Sequence, residues 1–216
     1  MFLFTLCWCA VFTGIAGAKE YRNQKALSPV HKPLDIKSVT PDGLMGDWRL
    51  VQSPTLDHKG QHYYFLSSDY DLVSSQMAKG TWENRLNVMF KDLWEKRPPG
   101  EKHQMVVDVG VNFGNFYMYA AALGCHMLGF EMQPKLYNIV EMSIRLSGYK
   151  SHSTLVNNAV WYNQLEMSFT PVVYGPKQTN LGYTHLVEGG KGDVRINTTR
   201  IDDVLVNPKV EHLVLS

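Results

Sequence analysis

Hydrophobic and polar positions change period repeatedly between residues 72 and 216. Met105–Val109 is an apolar run without alternation, as in a parallel strand buried on both faces. Asn115–Leu123 then follows with helical spacing, and its Ala120, Ala121 and Ala122 allow close approach to a sheet. His126–Phe130 reads as the next strand. Pro134 suits the first turn of a helix reaching about Leu146, with Leu136, Ile139, Val140 and Ile144 on its apolar side, and Gly148 breaks it. Ser153–Asn157 predicts a third short strand and Leu165–Val173 a fourth, antiparallel one. Glycines and Pro176 make 174–193 a long loop, Thr199–Leu205 turns into a short helix, and His212–Leu215 is a further apolar run. This succession predicts an α/β fold, with a Rossmann-like, doubly wound and mostly parallel sheet.

Helical spacing begins near Leu72 and is clearest from Trp82. Trp82, Leu86, Met89, Phe90, Leu93 and Trp94 recur every three or four residues, with Thr81 as N-cap and Pro98-Pro99-Gly100 as the stop. Such an aromatic stripe is a packing face. Residues 19–71 lack sustained periodicity and are punctuated by Pro29, Pro33, Pro41 and Pro54, which suits an irregular N-terminal stem. Trp48, Tyr63, Tyr64 and Phe65 suggest that its later part packs on the domain, and His62–Leu66 suits a short strand. The chain thus divides into 1–18, 19–71 and a domain over 72–216.

Phe2–Ala18 is uncharged, rich in Leu, Phe, Val and Ala, and closes on the small residues Ala16-Gly17-Ala18. That pattern predicts a signal peptide and entry into the secretory pathway, although a basic n-region is missing. An uncleaved anchor, the one route by which the chain would touch a membrane, is the alternative, since the stretch lies near the lower spanning limit of about 17 residues. A buried core element is the third reading. Cys7 and Cys9 fall inside this leader, so Cys125 stands alone in the processed chain, without a disulfide framework and suited to a small buried apolar site.

Composition narrows the function. The net charge is +1, and no basic stripe stands out, which argues against nucleic acid and anionic surfaces as partners. Hydrophobic residues make up 44% of the chain, enough for a globular core. His103, His126, His152, His185 and His212 show no metal-ligand spacing and suit surface or strand-end positions. Asp202-Asp203 reads as a helix-start pair favoured by the dipole. Asn197-Thr198-Thr199 is an N-glycosylation sequon, meaningful only in the secretory pathway.

The chemistry concentrates at Asp108-Val109-Gly110-Val111-Asn112-Phe113-Gly114, between the first parallel strand and its helix. Gly110 and Gly114 permit a tight turn and close ligand approach, and Asn112 tolerates left-handed backbone. A dinucleotide site needs G-x-G-x-x-G, with pyrophosphate on the helix N-terminus. The spacing here is G-x-N-x-G, and Asp108 would repel pyrophosphate. A cationic ligand bearing a sulfonium and an α-ammonium suits it, which favours S-adenosyl-L-methionine over NAD. Glu131 ends the next strand, where a carboxylate can accept both ribose hydroxyls; a solvated strand-end acid is the bland alternative. Asn158, past the third strand, suits an adenine contact or a turn.

These residues carry a resemblance. Val107–Gly114 resembles motif I of class I methyltransferases, in the D-x-G-x-N-x-G form of the FkbM-type family. Gly80-Thr81-Trp82-Glu83, Phe130-Glu131-Met132-Gln133-Pro134, Asn158-Ala159-Val160 and Thr199–Leu205 resemble further segments of that family in order, with Met132, Arg200 and Ile201 as departures. The resemblance implies a methyl-donor site lined by Asp108, Gly110, Asn112, Gly114, Glu131 and Asn158, with O-methylation of a small-molecule or glycan hydroxyl. It also implies a K-x-D-x-E-G segment and further sheet elements after Leu213-Val214-Leu215-Ser216, so the acceptor side and part of the sheet are expected to be incomplete here. No residue identifies the base. The rivals are an NAD-binding Rossmann protein, disfavoured by Asn112 and Asp108, and a secreted or anchored non-catalytic binding module of the same fold.

Overall fold

The computed structural model describes residues 8–11, 48–53, 62–83, 85, 88, 105–171, 184–187 and 194–205. In chain order these form β1 (Trp8–Val11), β2 (Arg49–Gln52), β3 (Tyr64–Ser67), α1 (Leu72–Ala78), β4 (Met105–Val109), α2 (Asn115–Ala122), β5 (His126–Phe130), α3 (Pro134–Leu146), β6 (Ser153–Val156), β7 (Ala159–Val160), β8 (Glu166–Pro171), β9 (Thr184–Val187), β10 (Val194–Thr199) and α4 (Ile201–Leu205). The content is mixed α/β, as the changes of period predict.

β4, β5 and β6 pair in parallel, with Val107 opposite Leu128 and Leu128 opposite Thr154. The apolar runs of β4 and β5 lack alternation because both faces are covered. Val106 and Met127 join one core with α2, α3 and the β2–β3 hairpin, while Met105, Val107, Leu128 and Phe130 form the other, against Ile201 and Val204 of α4. α2 is buried almost all round, from Phe116 to Ala122. α3 buries Leu136, Ile139, Val140 and Ile144, the face its spacing predicts, and turns Glu141, paired with Arg145 and Lys150, outward. At its free side β4 is paired antiparallel by β1, Trp8 opposite Val109 and Val11 opposite Val106. The edge strand therefore comes from the segment whose hydropathy marks a leader. Among the described residues no helix is long and apolar enough to cross a membrane.

The later stem belongs to the body of the fold. β2 and β3 pair antiparallel, and Tyr63, Phe65 and Leu66 are buried. The Tyr64 amide donates to Ser147 Oγ at the end of α3 (2.9 Å), and the Tyr149 hydroxyl donates to the His62 carbonyl (2.6 Å). α1 starts at Leu72 because buried Asp71 caps it, its Oδ1 accepting from the Ser74 amide at 2.7 Å. Of the helix expected from Trp82 to Trp94, only Trp82, Glu83, Arg85 and Val88 are described. Thr81, its expected N-cap, bonds backwards to the Gln76 carbonyl through both its amide and its hydroxyl. The run His212–Leu215 lies outside the described residues.

Past β6 the chain builds more strand than its hydropathy predicts. The antiparallel strand expected over Leu165–Val173 is present as β8, antiparallel to its partners. It lies in a second sheet of order β7-β10-β8-β9, between β10 and β9, with β7 parallel to β10. β9 falls inside 174–193, which its glycines and Pro176 mark as a long loop, and β10 takes residues 194–198, to which the pattern assigns no element, together with Thr199. In β10 the alternating positions Val194, Ile196 and Thr198 face inward and Arg195 and Asn197 outward, a short pattern with two apolar residues that carries little hydropathy signal. α4 occupies the expected short helix, with Asp202 and Asp203 in its first turn.

Candidate functional site

At the carboxyl end of β4 the chain turns through Gly110–Gly114 into α2. Gly110, Asn112 and Gly114 have φ of 82°, 56° and 86°, so every other residue is left-handed. Gly and Asn are the residues that adopt this backbone at least cost, which accounts for the G-x-N-x-G spacing. At Gly110 nothing lies within 4 Å of where a Cβ would stand, which leaves open space beside the backbone. At Gly114 a Cβ would meet Met118 Cγ at 3.1 Å and Val140 Cγ1 at 3.4 Å, so packing of α2 on α3 reinforces the choice.

The turn is fastened to the end of β5. The Gly110 and Val111 amides donate to the Phe130 carbonyl at 2.9 and 3.1 Å. Glu131 then supplies both carboxylate oxygens: Oε2 accepts from the Asn112 amide at 2.7 Å and Oε1 from the Gln133 amide at 2.8 Å. The side chain is buried, so the solvated strand-end reading does not hold. One carboxylate thus fixes two loops, the turn after β4 and the entry to α3.

Asp108 stands on β4 opposite Gly129 of β5 and is 1% exposed. Burial pushes the Glu131 carboxyl up to about 7; the Asp108 charge adds to this, and the Gln133 and Asn112 amides oppose it. Asn112 Oδ1 is buried and makes no hydrogen bond among the described residues, so a ligand N–H or O–H arriving there would satisfy it. The Asn112 oxygen, the Asp108 carboxylate and the open space at Gly110 fit a group with cationic and hydroxyl parts.

Asn158 is half-buried just after β6. The amide that reaches the Glu131 segment belongs to its neighbour: Asn157 Nδ2 donates to the Glu131 carbonyl at 2.7 Å and to the Met132 carbonyl at 3.3 Å. Sequence reading passed over Asn157, though the Asn157-Asn158 pair at a strand end was the available signal. Trp48, expected to pack the later stem on the domain, does so at the turn itself, stacking on Phe113 with ring centroids 5.9 Å apart and planes 19° from parallel. Gly129 was missed as well. A Cβ there would lie 2.5 Å from Tyr117 Cε2 and 2.8 Å from Val111 Cγ2, so the Tyr117 ring lies directly on this strand glycine. An isolated glycine in an apolar strand run is the signal for such close approach. The Tyr117 hydroxyl donates to the Thr154 carbonyl at 3.0 Å.

The remaining candidates lie apart from the turn. Asn197 is exposed on β10. His126 and His152 meet edge to face with centroids 6.4 Å apart, and a His152 ring nitrogen lies 3.0 Å from the Ala121 carbonyl. Among the described residues no three His, Cys, Asp or Glu side chains group to hold a metal. Cys125 is buried, as its sequence position suggested. Compared with known proteins, the chain matches no family model, no curated protein and no solved structure.

Proposed function

We propose that this chain carries the methyl-donor site of an S-adenosyl-L-methionine-dependent methyltransferase of FkbM type, on a Rossmann-like sheet, acting on a hydroxyl of a small molecule or glycan. The observation that carries the reading is the turn at the carboxyl edge of β4. It has left-handed backbone at Gly110, Asn112 and Gly114, open space beside Gly110, and the acidic side chains of Asp108 and Glu131 at the same edge. Ligands of open α/β sheets bind outside the carboxyl ends of the strands. Pyrophosphate would meet two carboxylates there, whereas a sulfonium and an ammonium would be attracted.

When bound, the donor supplies an electrophilic methyl group. Asp108 would hold the cationic end and the Asn112 oxygen would accept a ligand N–H. Glu131 would turn one carboxylate oxygen towards ribose while the other keeps a loop amide. Asn158 would stand at the adenine end. Methyl transfer then needs in-line placement of the acceptor oxygen and a base for its proton.

A second reading, a non-catalytic binding module, is favoured by one observation. Both Glu131 oxygens already hold backbone amides, and the carboxylate is shielded from solvent. Thermal unfolding with S-adenosylhomocysteine, with NAD and without ligand separates these readings. Stabilisation by the first compound alone supports the donor site, and stabilisation by neither supports the module. NAD alone would support a dinucleotide protein. Glu131→Ala is expected to remove the shift; its persistence would take Glu131 out of the site.

Entry into the secretory pathway, with the leader cleaved or kept as an anchor, belongs to the same proposal. Because Trp8–Val11 pairs with β4, cleavage after Ala18 would remove the strand covering that edge.

A further inference from the structure

We propose that Asn197 is an N-glycosylation site that is filled while the chain is still unfolded and is then closed to the transferase by the second sheet. Asn197-Thr198-Thr199 is the one N-x-S/T triplet in the sequence. It lies on β10, an interior strand bordered by β7 and β8. The Asn197 side chain is exposed, opposite Glu166 of β8, on the face that also carries the exposed ion pair of Arg195 and Glu166. A glycan there would project into solvent without disturbing Ile196 or Thr198, which point into the core.

The rest of the triplet is sealed. Thr198 is buried, its Oγ1 donating to the Asn163 carbonyl at 2.7 Å and accepting from the Leu165 amide at 2.7 Å. Thr199, whose hydroxyl defines the sequon, is 7% exposed, and its carbonyl accepts from the Trp161 amide at 3.0 Å. A transferase must reach the asparagine amide and the threonine hydroxyl together along accessible backbone. The folded strand offers only the first, so the modification precedes pairing of β10. In the transfer, the bond between the sugar C1 and a pyrophosphate-linked lipid breaks. A bond from C1 to Asn197 Nδ2 forms, one amide proton goes to a base on the transferase, and the lipid pyrophosphate leaves.

The proposal rests on the leader directing import, which the test separates from the site itself. The full chain is translated with endoplasmic-reticulum microsomes, and protease-protected chains are scored for one endoglycosidase-sensitive mobility shift. The shift is expected in the wild type and in Thr199→Ser, and is lost in Asn197→Gln and in Thr199→Val, which keeps the branched shape at a buried position. Folded full-length chain offered to detergent-opened microsomes is expected to stay unshifted. Protected chains without a shift, beside a modified control sequon, would overturn the site. A shift that survives Asn197→Gln would do the same, and equal modification of folded chain would overturn the order of events. Chains left unprotected would overturn the import on which the proposal depends.

Discussion

The parallel unit β4-β5-β6 and the second sheet β7-β10-β8-β9 solve the same problem with different materials. In the first, helices cover one face and α4 lies on the other, and the acidic residues at the strand ends are buried. In the second, Arg195, Asn197 and Glu166 are exposed on one face, and the ion pair of Arg195 and Glu166 stands in water, with side chains 78% and 57% exposed. Burial on both sides makes the first sheet intolerant of change and able to shift a carboxyl group. The exposed positions Arg195, Asn197 and Glu166 give the second sheet tolerance and room for a modification.

Glu131 should show the largest effect. Its folded carboxyl keeps a proton up to about 7, whereas an ordinary glutamate releases it near 4.5. Proton binding therefore favours the folded state fully below about 4.5, and the contribution is lost as pH rises through about 7. By linkage it is worth roughly 3 kcal/mol. Denaturant unfolding at pH 4.5, 6 and 8 is expected to show this decline, and Glu131→Gln should flatten it. An identical slope in the variant would mean that other groups set it.

Gly129→Ala comes next. The added methyl would stand 2.5 Å from the Tyr117 ring, against the strand that carries Glu131 at its end. Overpacking a closed core predicts a loss of about 2 kcal/mol, read as a lower denaturant midpoint. An unchanged midpoint would mean that α2 is not seated on β5 as described. Breaking the Arg195–Glu166 pair with Arg195→Ala should have the smallest effect, under about 1 kcal/mol, because both partners are solvated. A larger loss would erase the contrast between the sheets.

Legibility in the sequence follows the same contrast. Met105–Val109, His126–Phe130 and the apolar side of α3 could be read directly, because burial imposes a local period on the residues. The turn was legible for a related reason, since left-handed backbone at Gly110, Asn112 and Gly114 restricts residue type one position at a time. β9 and β10 were not legible. β9 is only four residues long, and the inward side of β10 ends in Thr198 after Val194 and Ile196, so the apolar alternation is too short to announce a strand.

By itself the sequence determined the strand–turn–helix succession, the left-handed spacing of the turn and the acidic character of the strand ends. Each depends on the residue and its near neighbours. Tertiary structure alone decided that Glu131 bonds to Asn112 and Gln133 together and that Asn157 reaches its carbonyl. It also decided that Tyr117 lies on Gly129 and that residues 8–11 pair with β4. Those contacts join segments whose approach depends on register and packing across the fold, and no local pattern of residues encodes them.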